Sequence, residues 1–103
     1  MKVSELSEKI KGIIISGSGE KELDGCYIGD LLSLAMSKVQ ENNIWITIQT
    51  NINSIAVASL TEAGCIVVCE GFTLDENALE KAKDEVISVI LSEMSAFEIA
   101  RLI

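Results

Sequence analysis

Histidine and proline are absent from this chain of 103 residues, and tryptophan, tyrosine and phenylalanine together make up only 4% of it. Without an imidazole there is no serine–histidine or cysteine–histidine pair to raise a nucleophile, and no histidine to complete a set of metal ligands. Basic residues are also scarce: 16 acidic against 8 basic give a net charge of −8. The lysines (Lys2, Lys9, Lys11, Lys21, Lys38, Lys81, Lys83) are scattered rather than gathered in a stripe. Nucleic-acid binding, which draws its affinity from neutralised phosphates, is therefore not expected. Long apolar runs are missing as well. The longest is about five residues against the ~20 that cross a bilayer, and the first residues mix charges without a signal-peptide core. The expectation is a soluble, cytoplasmic protein with no membrane partner.

What is present fits one domain over residues 1–103, with 49% apolar residues and no low-complexity tract. A chain of this size buries roughly two-thirds of its unfolded surface, so its stability is modest and pairing of two copies would add to it. A homodimer is expected. The three cysteines, Cys26, Cys65 and Cys69, all stand in apolar surroundings. They are read as reduced, buried core thiols, with no metal and no cofactor expected.

The pattern along the chain alternates helix and strand. Val3, Leu6 and Ile10 mark a short helix that Gly12 stops, and Ile13-Ile14-Ile15 reads as a strand buried on both faces. A loop from Ser16 to Gly25 holds three glycines and leads to a strand at Cys26–Ile28. Asp30 stands where a helix cap belongs, ahead of a helix with Leu31, Leu34 and Ala35 on one line and Leu32, Met36 and Val39 on the next. Ile44–Ile48 alternates as a strand, and Gln49-Thr50-Asn51 ends it.

The helix at 53–63 is apolar nearly all round, which calls for cover on more than one side. Cys65–Cys69 reads as the central strand, closed by Glu70-Gly71. Thr73…Glu76 and Ser95…Glu98 read as capping boxes. The first opens a helix with Ala78, Leu79, Ala82 and Val86 buried; the second opens one with Phe97, Ala100 and Ile103 inward. Ser88–Leu91 is the last strand.

This order predicts a three-layer α/β/α domain with a largely parallel sheet of about five short strands. The loop at 16–25 contains no helix, so the first two strands lack an ordinary crossover and are free to pair antiparallel at an edge.

Tyr27-Ile28-Gly29-Asp30-Leu31-Leu32-Ser33, followed by Trp45-Ile46-Thr47-Ile48-Gln49-Thr50 and then Cys69-Glu70-Gly71, resembles the DRTGG domain family over essentially the whole chain. Such domains form the N-terminal domain of HPr kinase/phosphorylase-like proteins, stand beside CBS domains in regulated pyrophosphatases, and occur alone. The resemblance implies an α/β/α regulatory or ligand-sensing module rather than a catalyst, with a regulated enzyme as a conceivable partner. The loop that carries Asp-Arg-Thr-Gly-Gly in the family reads Glu20-Lys21-Glu22-Leu23-Asp24-Gly25 here, keeping one glycine without the arginine–threonine pair.

The residues leave two functional classes open. In the first, a small ligand or nucleotide is held where the polar ends of the parallel strands converge, at Gly29, Asp30, Gln49, Thr50, Asn51, Glu70 and Gly71. Gly29 would allow close approach of the backbone, and Asp30 would cap its helix or accept a ligand hydroxyl. In the second, the chain is an interaction or dimerisation module without a ligand, pairing through the small-residue face Ala56, Ser59 and Ala63. Kinase chemistry is not expected. Gly17-Ser18-Gly19-Glu20 lacks the lysine and hydroxyl residue of a phosphate-binding loop and the helix behind it.

Overall fold

The computed structural model describes residues 1–103 in the order α1 (Val3–Lys9), β1 (Ile13–Ser16), β2 (Cys26–Ile28), α2 (Leu32–Lys38), β3 (Ile44–Thr47), α3 (Ile52–Thr61), β4 (Cys65–Val68), α4 (Glu76–Asp84), β5 (Val89–Leu91) and α5 (Ala96–Ala100). The sheet runs β1-β5-β4-β3-β2. β2, β3, β4 and β5 are parallel, and β1 is antiparallel to β5. The expected α/β/α architecture is borne out, with β4 central. The antiparallel partner of β1 is β5, however, not β2. β1 and β2 lie at opposite edges, and the helix-free loop between them carries the chain across the end of the sheet where the parallel strands begin. Four strand spacings make roughly 19 Å, well within the reach of this loop.

Alternation along the strands divides the core in two. Trp45, Ile66, Val68 and Val89 join Ala35 of α2 and the following Val39, Ile55, Val57 and Ala58 of α3, Ala63 behind it, and Ala78 and Ala82 of α4 in one cluster of 12 buried residues. Ile44, Ile46, Cys65, Val67, Cys69 and Ile90 join Val3, Leu6 and Ile10 from the α1 segment, Leu23 of the loop before β2 and Ile99 of α5 in a second cluster of 11. Clusters of similar size on both sides make the sheet a true middle layer. Their covers differ, because the three crossover helices all pack on the first face and only the terminal helices α1 and α5, of 7 and 5 residues, pack on the second.

Edges and short helices account for several departures from expectation. β1 is an edge strand, so Ile13 is 66% exposed instead of buried on both sides. Cys26 lies on the edge strand β2 and is exposed, whereas Cys65 and Cys69 are buried as expected. α2 buries Ala35 and the following Val39 but leaves Leu31, Leu34 and Met36 outside. α3 has neighbours on two sides, α2 and α4, yet Ala56 and Leu60 remain exposed.

The small-residue stripe is therefore split. Ala56 faces out, the Ser59 hydroxyl donates to Glu85 Oε1 at 2.9 Å, and Ala63 is buried. α4 begins at Glu76 behind Asp75, and Thr73 does not cap it. Val86 falls beyond the end of α4 in the left-handed region and is exposed, not part of the buried stripe. α5 does open with the predicted box of Ser95 and Glu98. Being one turn and a half long, it docks through Ile99, and Phe97, Ala100 and Ile103 point outward. No helix is long and apolar enough to cross a membrane.

Candidate functional site at the carboxyl ends of the strands

Parallel strands deliver their C-terminal ends to one rim, which here receives the chain segments after β2, β3 and β4. Asp30 organises it. The helix cap lies one residue later, at Leu31, and makes no side-chain hydrogen bond, so Asp30 is not the cap. Its carboxylate instead bridges to β3: Oδ1 accepts from the Thr47 hydroxyl and from the Ile48 amide, both at 2.9 Å. The Gln49 side chain closes the same connection by donating Nε2–H to the Asp30 carbonyl at 2.6 Å.

The remaining polar residues of this rim are spent on local structure. The Gln49 Oε1 accepts from Asn51 Nδ2 at 2.7 Å, and Asn51 caps α3 through its Oδ1 and the Asn53 amide at 2.9 Å. The Thr50 carbonyl accepts from the Asp75 amide at 3.0 Å, tying the entrance of α4 to the end of β3. Gly29 makes room, but for its own chain: a Cβ there would come within 2.8 Å of the Tyr27 ring. Its carbonyl accepts from the Trp45 indole at 3.0 Å.

After β4 the chain reverses through Cys69-Glu70-Gly71-Phe72, closed by the Phe72 amide on the Cys69 carbonyl at 3.4 Å. Both central residues are left-handed, with φ of 64° at Glu70 and 79° at Gly71. Positive φ at both central positions is the signature of a type I′ turn, which glycine adopts freely and glutamate does not. The turn brings Phe72 back beside Cys69.

A cavity of about 440 Å³ opens in front of this turn, lined by Ile28, Ile46, Ile48, Phe72 and Ala96 with Asp30, Thr47, Cys69 and Glu70. It lies on the face covered only by α1 and α5, since Ile46 and Cys69 belong to that core cluster. Cys69 is part of its wall. Its thiol is pushed up by burial, and further by the negative charges of Glu70 and Asp30.

Of the residues expected from sequence, the cavity thus unites Asp30 and Glu70. Gln49, Thr50 and Asn51 support the rim without lining the cavity, and Gly29 is filled by Tyr27. Gly71 faces a different groove, of about 180 Å³, with Lys11, Ile13, Thr73 and Glu93. Ile28, Ile46, Thr47, Ile48, Cys69, Phe72 and Ala96 were not expected there. Thr47 reads as an ordinary strand residue, and Phe72 reaches the cavity only through the turn. A further cavity of about 220 Å³, at the opposite rim, carries Lys21, Glu41, Glu62, Glu85 and Ser88 together with the apolar Ala58, Ala63, Val86 and Ile87.

No protein-family model matches the sequence, and no curated protein matches it either. Among solved structures, the chain is similar to that of the CBS and DRTGG domains of the regulatory region of Clostridium perfringens pyrophosphatase, in complex with the activator diadenosine tetraphosphate. The TM-score is 0.76 at 15% identity, over 97% of this chain and 44% of the other, so this chain spans less than half of that one. At this identity the likeness is one of fold, and the fold it supports is that of a DRTGG-like domain, in agreement with the order of elements read from the sequence.

Proposed function

We propose that this chain is a non-catalytic regulatory module that senses a small ligand at the C-terminal rim of its sheet. The observation that carries the reading is the cavity walled by Ile28, Ile46, Ile48 and Phe72, with Asp30 and Glu70 at its polar side. Open α/β sheets bind ligands at this end of their strands, and an apolar hollow with a few convergent polar groups is the usual form of such a site. The Clostridium structure adds support, because a domain arrangement of similar fold there belongs to the regulatory region of an enzyme and is seen with a nucleotide activator. By that analogy the chain acts on a regulated enzyme partner, joined to it or separate, and on our reading it does so in the cytoplasm.

The test is a thermal-shift screen of the purified chain against common metabolites and nucleotides, with native mass spectrometry for retained molecules. The reading expects at least one compound to raise the melting temperature, and expects Ile48→Ser and Phe72→Ala to remove that gain. A stabilising compound that acts equally on both variants contradicts the placement of the site, and a screen without any binder contradicts the sensing role.

One group of exposed residues favours a second reading, a homodimerisation or interaction module. Leu31, at 65% exposure, and Leu34, at 45%, stand about one turn apart at the cap and in the first turn of α2, which follows the edge strand β2. Sedimentation at micromolar concentration decides it: a dimer that Leu31→Glu dissociates supports this reading, and an 11.1 kDa species alone contradicts it.

A further inference from the structure

The polar groups around the C-terminal cavity define a class of ligand, provided that the cavity has the sensing role proposed for it. Hydrogen-bond donors on its wall are largely used up inside the chain. The Ile48 amide donates to Asp30 Oδ1, and the Cys69, Glu70 and Phe72 amides donate to the carbonyls of Thr47, Met94 and Cys69 at 3.1, 2.9 and 3.4 Å. The Thr47 hydroxyl donates to Asp30, and the Cys69 thiol to the Thr47 carbonyl at 3.6 Å. The short helix α5, which supplies Ala96, opens with a capping box that takes up the Ser95 and Glu98 amides and leaves those of Ala96 and Phe97 without a partner in the chain.

No lysine or arginine lines the space. A phosphate placed there would lose its water and gain little in return. Acceptors are in surplus: Asp30 uses only Oδ1 in its bridge to β3, and Glu70 is exposed at the turn. The net charge of −8 adds a favourable field for cations over the whole surface.

We infer that the cavity takes a small organic cation, an apolar body bearing a protonated amine, with Ile28, Ile46, Ile48 and Phe72 around the body and Asp30 and Glu70 around the ammonium group. The apolar wall gives the affinity for the body, and the two carboxylates choose its charge. Metal ions are poorly served by the same site, since no group of three or more carboxylate, thiol or imidazole ligands converges anywhere in the chain.

Three probes of one shape and different charge test this: 2-phenylethylammonium, 2-phenylethanol and 3-phenylpropionate, each titrated into the isotope-labelled full chain at pH 7 and low salt while amide resonances are followed. The expected result is that the ammonium probe shifts the Ile48, Glu70 and Phe72 signals and binds on the order of tenfold more tightly than the carboxylate. Glu70→Gln should shrink that preference several-fold. Glu80→Gln, an exposed change on α4 with the same effect on net charge, should leave it intact.

The alcohol or the carboxylate binding at those residues as tightly as the ammonium probe overturns the inference and leaves the sensing role standing. A preference reduced equally by Glu80→Gln also overturns it, by assigning the effect to net charge. If none of the three moves those signals the inference is again overturned, whereas the sensing role falls only if the metabolite screen is empty as well.

Discussion

One face of the sheet is closed by three crossover helices, and the other is half closed by two short terminal ones. On the first, Trp45 is fully buried behind α2, α3 and α4 and has its indole hydrogen bonded to the Gly29 carbonyl. On the second, α1 and α5 seat Val3, Leu6, Ile10 and Ile99 but do not extend over the ends of β2 and β3, where Ile28 and Ile48 are 47% and 43% exposed. The difference comes from topology. Each parallel connection needs a crossover helix, and stepping in one direction from β2 to β5 puts all of them on the same side. The opposite side carries the short helices α1 and α5, and the hollow lined by Ile28, Ile46, Ile48 and Phe72 opens beside α5.

The contrast between the faces predicts its largest effect at Trp45. Trp45→Ala should cost about 3–5 kcal/mol, against a change within about 0.5 kcal/mol for Ile28→Ala on the open side, both measured by urea denaturation. A cost at Ile28 near that at Trp45 would mean that the second face is covered in solution, by another copy or a further segment.

Next in size is Asp30. Removing its carboxylate in Asp30→Ala leaves the Thr47 hydroxyl and the Ile48 amide without their acceptor, which should cost about 1–3 kcal/mol. Amide exchange at Ile48 should accelerate in the same variant. Unchanged exchange there would remove Asp30 from its place as organiser of the rim.

The thiols sharpen the contrast between edge and centre. Cys26, exposed on β2 though its thiol is pushed up by partial burial, should react with a thiol reagent in the native protein ahead of Cys65 and Cys69, which should react only after unfolding. Burial pushes the Cys65 thiol up to about 12 from an ordinary value of 9.0. A raised thiol value means that the folded state holds the proton longer than the unfolded one. The contribution is therefore whole below pH 9.0 and is lost as pH rises from there towards about 12. Alkaline denaturation followed by circular dichroism should show this loss, and Cys65→Ala should show less of it. A small effect on stability is also expected at Phe72, half exposed at the cavity mouth: Phe72→Ala should change unfolding free energy by less than about 1 kcal/mol.

The sequence made the order of elements legible because hydrophobic period and turn residues are local. Ile44–Thr47 and Cys65–Val68 appear as strands where alternation and β-branching place them, and Ser95 caps α5 as its spacing to Glu98 requires. Pairing between strands is not local. Ile13-Ile14-Ile15 looks the same whether β1 is central or at an edge, so its exposure and its partner β5 became visible only in the structure.

The site divides in the same way. Asp30 and Glu70 could be picked out because they come directly after strands whose ends share a rim. Asp30 looked like a cap, since nothing in its neighbourhood announces Thr47 and Ile48, 17 and 18 residues away, as its partners. Phe72 and Ala96 enter the cavity through a left-handed turn and the short reach of α5, and neither leaves a mark in hydrophobic period.

The central claim is that recognition sits on the half-covered face, and crystallographic fragment screening tests it most directly. Crystals of the chain soaked with a library mixing amines, neutral heterocycles and acids should show fragments gathered against Ile28, Ile46, Ile48 and Phe72. Fragments gathered instead at the opposite rim beside Lys21 and Glu62, with that cavity empty, would contradict it.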